Sequence, residues 1–99
     1  MNKIDIDKEK PIFPINIIAD VLKVHRRTLR IYDEEKLLSP KRSPKNRRLY
    51  SINDLEKGKF ILFMTQEARV NLSGIKIIIK LLEKLEIPPE KHIETVKSL

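Results

Sequence analysis

The chain has 99 residues, enough for one compact core and too few for a second domain. Lys and Arg number 21 against 14 Asp and Glu, so the formal charge is +7. The chain lacks cysteine, which excludes disulfides, thiolate metal sites and cysteine nucleophiles. Two Gly and two His are too few for a glycine-rich phosphate loop or a histidine metal cluster, so we expect no catalytic residue, no metal and no cofactor. This composition argues against an enzyme.

The sequence shows no signal-peptide segment and no apolar run of the ~20 residues that span a bilayer. We therefore expect a cytoplasmic protein with no membrane partner. The positive charge is concentrated in residues 41–51, which hold five basic residues and no acidic one, while the flanking segments are nearly neutral. Such a segment can be an ordinary solvated loop or a surface for a polyanion.

The first thirteen residues are mixed in charge, and Pro11 and Pro14 bracket a short apolar stretch. We expect an extended arm over residues 1–13. Apolar residues then recur three and four positions apart, at Ile15, Ile18, Ala19 and Leu22. This spacing predicts an amphipathic helix of about two turns.

A second helix is predicted over residues 26–36, which follow a break at residues 23–25 and contain neither Gly nor Pro. Leu29 and Tyr32 fall on one side of it, and three arginines share the other side, namely Arg26, Arg27 and Arg30. Two simpler interpretations remain open: Arg30 can pair with Glu34 one turn later, and Tyr32 can be only a core aromatic residue. His25 is expected at the helix start.

Pro40 and Pro44 prevent this helix from continuing, and residues 49–50 after the basic segment are typical of the return strand of a hairpin. Ser51 and Asp54 have the spacing of a capping box, so a third helix should run from about residue 52 to about residue 67. Gly58 weakens that helix by up to about 1 kcal/mol relative to Ala. Its apolar face is assigned to Leu55, Phe60, Leu62, Phe63 and Met64.

A fourth helix is predicted after a cap at Asn71 or Ser73. Its apolar stripe is wider than one small neighbour can cover, so the helix is either the central core helix or part of a dimer interface. The stripe consists of Ile75, Ile78, Ile79, Leu82 and Leu85, widened by Ile77 and Leu81. The prolines at 88 and 89 end it, and residues 87–99 are expected to form a short helical tail, lined by Ile93, Val96 and Leu99, with His92 at the surface.

Two short helices, the second rich in arginine, followed by a basic hairpin are the parts of a winged helix-turn-helix. The predicted fold class is therefore all-α with a small β-hairpin wing. A helix fits the major groove of DNA, where Arg pairs bidentately with guanine. A positive hairpin can lie along the neighbouring phosphates.

Two segments carry a resemblance to a known family. They read Thr28-Leu-Arg-Ile-Tyr-Asp-Glu-Glu-Lys-Leu-Leu-Ser-Pro40 and Arg47-Arg-Leu-Tyr-Ser-Ile-Asn-Asp-Leu55. In order and motif they resemble the MerR family of transcription regulators, over residues 14–86. Residues 65–67 and 71–75 look more like the heat-shock repressor HspR branch of this family than like its metal or drug sensors.

The resemblance implies a DNA-binding domain that recognises an inverted repeat on double-stranded DNA, usually as a homodimer. For the HspR branch it implies repression of chaperone genes, with the chaperone DnaK as co-repressor. Arg26 and Arg27 then correspond to base-contacting positions, and Arg30 and Tyr32 to phosphate contacts. Arg48 and Tyr50 match the RxY of the family's wing, and the added wing charges are Arg42, Lys45 and Arg47.

The sequence departs from the family pattern in three places. Asn46 stands where many members have a wing-tip Gly, and it is the residue there best suited to a positive φ. Gly58 replaces a usual apolar residue. The family's long dimerisation helix has no counterpart among the ten residues after Pro89, so the sequence does not predict dimerisation by that route.

Two other functions stay open. One is a protein-interaction adaptor that uses the apolar face of residues 75–86. The other is a small excisionase-like architectural protein that bends DNA with little sequence preference.

Overall fold

The computed structural model describes residues 7–99, so the first six residues of the expected arm lie outside the described part. Five α-helices, three short strands and one turn of 3₁₀ helix form the described chain. In order they are β1 (Phe13–Pro14), α1 (Ile15–Leu22), α2 (Arg26–Glu34), β2 (Lys41–Arg42), β3 (Arg48–Tyr50), α3 (Ile52–Gln66), α4 (Leu72–Lys84), the 3₁₀ turn (Pro89–Lys91) and α5 (His92–Lys97). The predicted all-α fold with a hairpin wing is confirmed.

The first two helices meet at the short turn that the sequence predicts. Lys23 ends α1 in the left-handed conformation, with φ of 58°, and its N–H donates to the carbonyls of Ala19 and Asp20. Helix α1 buries Ile18 and Ala19, and α2 buries Leu29 and Tyr32, as their spacing predicts. The two helices therefore dock through one small apolar seam.

The wing belongs to a three-stranded antiparallel sheet with the order β1-β3-β2. Phe13 pairs with Tyr50 across β1 and β3, and Arg42 pairs with Arg48 across β2 and β3. The sequence predicted the hairpin but described residues 1–13 only as an extended arm. The arm thus contributes a strand that attaches the wing to the start of α1.

Helix α3 begins with the predicted capping box. The Ser51 hydroxyl accepts from the Asp54 N–H at 3.0 Å, and the Asp54 carboxylate accepts from the Ser51 N–H at 2.9 Å. The fully buried apolar residues of α3 are Phe60, Ile61 and Met64, so Ile61 replaces Leu62 among the residues assigned to the core. Local spacing misjudged this face because the core meets α3 from several sides.

Gly58 is not simply a weak point in α3. It is buried, and a Cβ there would lie 2.8 Å from Cδ1 of Leu22. The missing side chain lets the end of α1 approach α3 closely, so packing offsets the cost in helix propensity.

Helix α4 is capped by Asn71, whose side-chain oxygen accepts from the Gly74 N–H at 2.8 Å. The helix buries Ile75, Ile79 and Leu82. Leu85, which the sequence assigns to the apolar stripe, does not join the core, because 70% of its surface is exposed. Within residues 7–99, no helix has the length and apolar character needed to cross a membrane.

The tail packs against α3, and it corrects the assignment of His92 to the surface. His92 is fully buried, its Nε2–H donates to the Ile87 carbonyl at 2.8 Å, and its ring meets Phe60 edge to face at 5.4 Å. Leu99, expected to line the last helix, is 99% exposed. The tail is thus held by an aromatic contact rather than by the last residue of its predicted apolar stripe.

Candidate nucleic-acid interface

The start of α2 is fixed by His25, which confirms the position predicted for it. Its side-chain Nδ1 accepts a hydrogen bond from the Arg27 N–H at 3.0 Å. This N-cap satisfies a backbone donor that the first turn of a helix otherwise leaves free. Arg26 and Arg27 are therefore the first two residues of a defined helix, and both are exposed.

Arg26, Arg27 and Arg30 occupy the exposed side of α2, opposite Leu29 and Tyr32. None of the three arginine side chains forms an ion pair with another residue of the described range 7–99, so the open Arg30–Glu34 pairing is not formed. The result is a helix face that offers three uncompensated guanidinium groups to a partner.

The wing turn is held by side-chain as well as backbone hydrogen bonds. Asn46 has φ of 61°, which confirms the residue expected to take a positive φ. Its N–H donates to the Ser43 carbonyl at 2.8 Å, and the Ser43 hydroxyl accepts from the Arg47 N–H at 3.1 Å. Arg42 adds a bond to the Asn46 carbonyl at 3.2 Å. The tip, which carries Lys45, is therefore an ordered turn that presents exposed cations.

Asp33 joins α2 to the wing. Its Oδ2 accepts from Arg48 Nε at 2.8 Å and from Arg42 Nη2 at 3.2 Å. The Asp33 and Arg48 side chains are 16% and 21% exposed, so this pair is partly shielded from water and salt. Two wing arginines are thus oriented by one carboxylate of α2, and both are partly neutralised in the free protein.

A groove lies between the wing and the first residues of α1. Four arginines line it, together with Asn16 and Asn46, and they are Arg30, Arg42, Arg47 and Arg48. Pro14 and Ile15 at the start of α1 complete its walls. Guanidinium groups from two separate elements therefore converge on one concave surface, which is suited to a phosphate oxygen.

The two tyrosines proposed for DNA contact lie in the core. Tyr32 is 4% exposed, and burial raises its pKa. Tyr50 is fully buried, its hydroxyl has no hydrogen-bond partner among the described residues, and burial raises its pKa to about 12. The placement of Tyr50 conflicts with a direct contact to phosphate, because its hydroxyl does not reach the surface.

Sequence reasoning missed the role of Asp33. The residue stands in an acidic run with Glu34 and Glu35, and nothing in composition separates the three. A usable signal was its position four residues after the buried Leu29, which puts its carboxylate on the inward side of the helix. A carboxylate there needs a cationic partner, and the basic segment supplies two.

The fold and the converging arginines define a DNA-binding domain of the winged helix-turn-helix class. The family described as "MerR HTH family regulatory protein" matches residues 13–82. The chain belongs to the MerR family of transcriptional regulators.

Several relatives are similar over half of this chain or more. The transcriptional regulator GlnR of Bacillus anthracis is 37% identical over 76 residues, which are 77% of this chain and 58% of GlnR. The heat shock protein HspR of Streptomyces coelicolor is 35% identical over 80 residues, 81% of this chain and 53% of HspR. The regulator TnrA of Bacillus subtilis is 36% identical over 50 residues, 50% of this chain and 46% of TnrA. The chain therefore spans about half the length of these relatives, none of which is named as an enzyme.

Proposed function

We propose that this chain is a sequence-specific DNA-binding repressor that recognises an inverted repeat. The observation that carries the proposal is the exposed face of α2, where three arginines lack an ionic partner within residues 7–99. An arginine-bearing helix beside a cationic wing matches the shape and charge of a major groove with its flanking phosphates.

Within this proposal Arg26 and Arg27 read base edges, because they project from the first turn of the recognition helix. Arg30 meets the DNA backbone together with the wing residues, which are Arg42, Lys45, Arg47 and Arg48. Tyr32 and Tyr50 act from the core by supporting these positions. Arg42 and Arg48 exchange part of their interaction with Asp33 for phosphate when DNA binds.

Repression of heat-shock and chaperone genes, with DnaK as co-repressor, is a finer proposal that rests on the likeness to HspR at 35% identity. GlnR is similar at 37%, so the likeness alone favours no particular set of genes. Mapping the bound sites across the genome of the source organism, before and after heat shock, tests this part. Occupancy upstream of chaperone genes that falls on heating is expected, and sites elsewhere would remove the heat-shock role.

DNA recognition is tested by selecting duplexes from a random library and measuring affinity by fluorescence anisotropy. Arg27→Ala should reduce the binding free energy on the selected duplex by about 1–3 kcal/mol, and it should reduce the binding free energy on random DNA much less. Arg48→Ala should weaken both duplexes alike. Lys80→Ala on α4 is the matched control, since it removes one charge from an exposed residue of another helix.

Three outcomes contradict parts of the proposal. Equal losses on both duplexes for Arg27→Ala would remove the base-reading role. Strong bending of DNA without sequence preference would favour the architectural protein instead. Sedimentation on a palindromic duplex reports the stoichiometry, and one chain per palindrome would contradict a dimer.

A further inference from the structure

We propose that the exposed apolar stripe formed by Ile77 and Leu81 of α4 and by Leu85, the residue that caps the end of this helix, is a docking site for an acidic amphipathic helix of a partner protein. These side chains are 62%, 56% and 70% exposed. They are spaced four residues apart, so they lie on one side of the helix over two turns. At 1.5 Å per residue the stripe is about 12 Å long.

The stripe is not needed by the core. Helix α4 already buries Ile75, Ile79 and Leu82 on its other side, mainly against α3. Single exposed aliphatic residues are common on protein surfaces, but an aligned group marks an interaction site. Three such residues on successive turns are the pattern that a partner helix covers with its own apolar side.

A row of lysines runs beside the stripe and determines the charge of its partner. Lys76, Lys80 and Lys84 each precede one stripe residue by a single position, so they form a parallel row along the same helix. None of these lysines forms an ion pair within residues 7–99. Glu83 on the same helix pairs with Lys57 of α3, with 3.9 Å between Glu83 Oε2 and Lys57 Nζ. Carboxylates alongside the apolar row of a partner would complement this edge.

A second copy of the chain that packs antiparallel through α4 fits this surface poorly. When two α4 helices pack antiparallel about a two-fold axis, each flank of the stripe faces the same flank of the other copy. The lysine rows would then face one another, and like charges in an interface oppose association. DNA is also a poor occupant, because the aliphatic stripe offers nothing to a phosphate. An acidic amphipathic helix can cover the apolar stripe with its own apolar side and place its carboxylates beside the lysine row.

The proposed docking site and the DNA-binding arginines belong to different elements. The stripe lies on α4, whereas the uncompensated arginines lie on α2 and the wing. The two activities can therefore be measured separately, and the docking proposal stands or falls without the proposed repressor function.

The experiment uses the full chain and two synthetic helix-forming peptides. Both peptides carry the same row of leucines at helical spacing, flanked by glutamates in one and by lysines in the other. We expect the glutamate peptide to shift backbone amide resonances of residues 72–86, and the lysine peptide to bind at least tenfold more weakly. Leu81→Ser should weaken binding of the glutamate peptide at least tenfold. Circular dichroism is used to check that this variant is folded.

A charge-reversed variant sharpens the test. Lys80→Glu combined with Lys84→Glu should invert the preference between the two peptides, and Arg27→Ala should leave peptide binding unchanged. Equal binding of both peptides, or binding of neither, overturns the proposal. So do resonance shifts confined to residues 26–48, which would show general attraction to the basic face. A chain that sediments as a dimer and becomes monomeric on Leu81→Ser would assign the stripe to a second copy.

Discussion

Replacing Asp33 with Asn removes the carboxylate that α2 shares with the wing and keeps almost the same side-chain volume. The contact to Arg48 is a charge-assisted hydrogen bond of 2.8 Å between two side chains that are mostly shielded from water. Such bonds contribute about 1.5–3 kcal/mol. The contact to Arg42 is longer, at 3.2 Å, and Arg42 is 42% exposed, so it adds at most about 1 kcal/mol.

We therefore expect Asp33→Asn to lower the free energy of unfolding by about 2 kcal/mol, measured by urea denaturation. For a domain of this size that loss lowers Tm by roughly 10 °C. Glu34→Gln is the matched control, because it makes the same charge change one position later on α2. Glu34 is exposed and forms no ion pair within residues 7–99, so its variant should keep the parent stability.

The same variant has a second effect, on DNA binding. Arg42 and Arg48 lose their shared carboxylate and become free to bind phosphate, while the wing loses its attachment to the recognition helix. Binding to random DNA should strengthen at low salt, and the slope of log K against log salt should steepen by at most about 0.9 for each of the two arginines whose phosphate contact Asp33 had weakened. The ratio of selected to random affinity should fall. Unchanged stability together with an unchanged slope would refute the bridging role of Asp33.

Three further substitutions, the last with a control in α4, test the core and the helix-turn-helix. Tyr50→Phe removes a buried hydroxyl that lacks a partner among the described residues. The free energy of unfolding at pH 7 should therefore stay equal or rise by about 1 kcal/mol, and the affinity for DNA should not change. A fall in DNA affinity would indicate that the Tyr50 hydroxyl contacts DNA after all. Folding raises the pKa of Tyr50 from 10.0 to about 12. The stability that the parent gains by keeping this phenol neutral is therefore present below pH 10 and is lost as the pH rises through 12. In urea denaturation over that pH range, the free energy of unfolding should fall less in the variant than in the parent. His92→Ala should cost about 2–4 kcal/mol by loss of the Ile87 bond and the Phe60 contact, and a loss below 1 kcal/mol in urea denaturation would contradict that packing. Lys23→Gly should stabilise the fold by about 1 kcal/mol, because φ at Lys23 is 58° and glycine adopts this conformation without strain. Lys80→Gly, inside α4, should destabilise the fold by about 1 kcal/mol. Thermal melts in which Lys80→Gly is the more stable variant would argue against strain at the turn.

Most helices were predictable because their signals are local. The apolar spacing of residues 15–22, the capping box at Ser51 and the cap at Asn71 each lie within one or two turns of the element they define. Helix α1 begins and ends at the predicted residues, and α3 ends one residue before the predicted end. Pro40 and Pro44 likewise marked the hairpin, since proline cannot continue a helix.

The rest depends on contacts between distant parts of the chain. Strand β1 exists because Phe13 pairs with Tyr50, and two residues alone carry no periodicity that predicts this pairing. His92 is buried because Phe60 and the Ile87 carbonyl meet its ring, which its polar neighbours in sequence do not indicate. The helix arginines were predictable from an outward spacing, whereas the Asp33 bridge required knowing that the wing folds back onto α2.

The close contact at Gly58 lies beneath the last residue of α1, directly before the turn that starts α2. A side chain at position 58 would therefore meet Leu22 first, and its volume would act on the distance between α1 and α3. A small residue such as alanine can be accommodated by a shift of the flexible Leu22 side chain, whereas a larger residue would press on α1 itself, which leads into α2. The position of the α2 arginines relative to the rest of the domain would then depend on a residue of another helix, away from the arginine-bearing face.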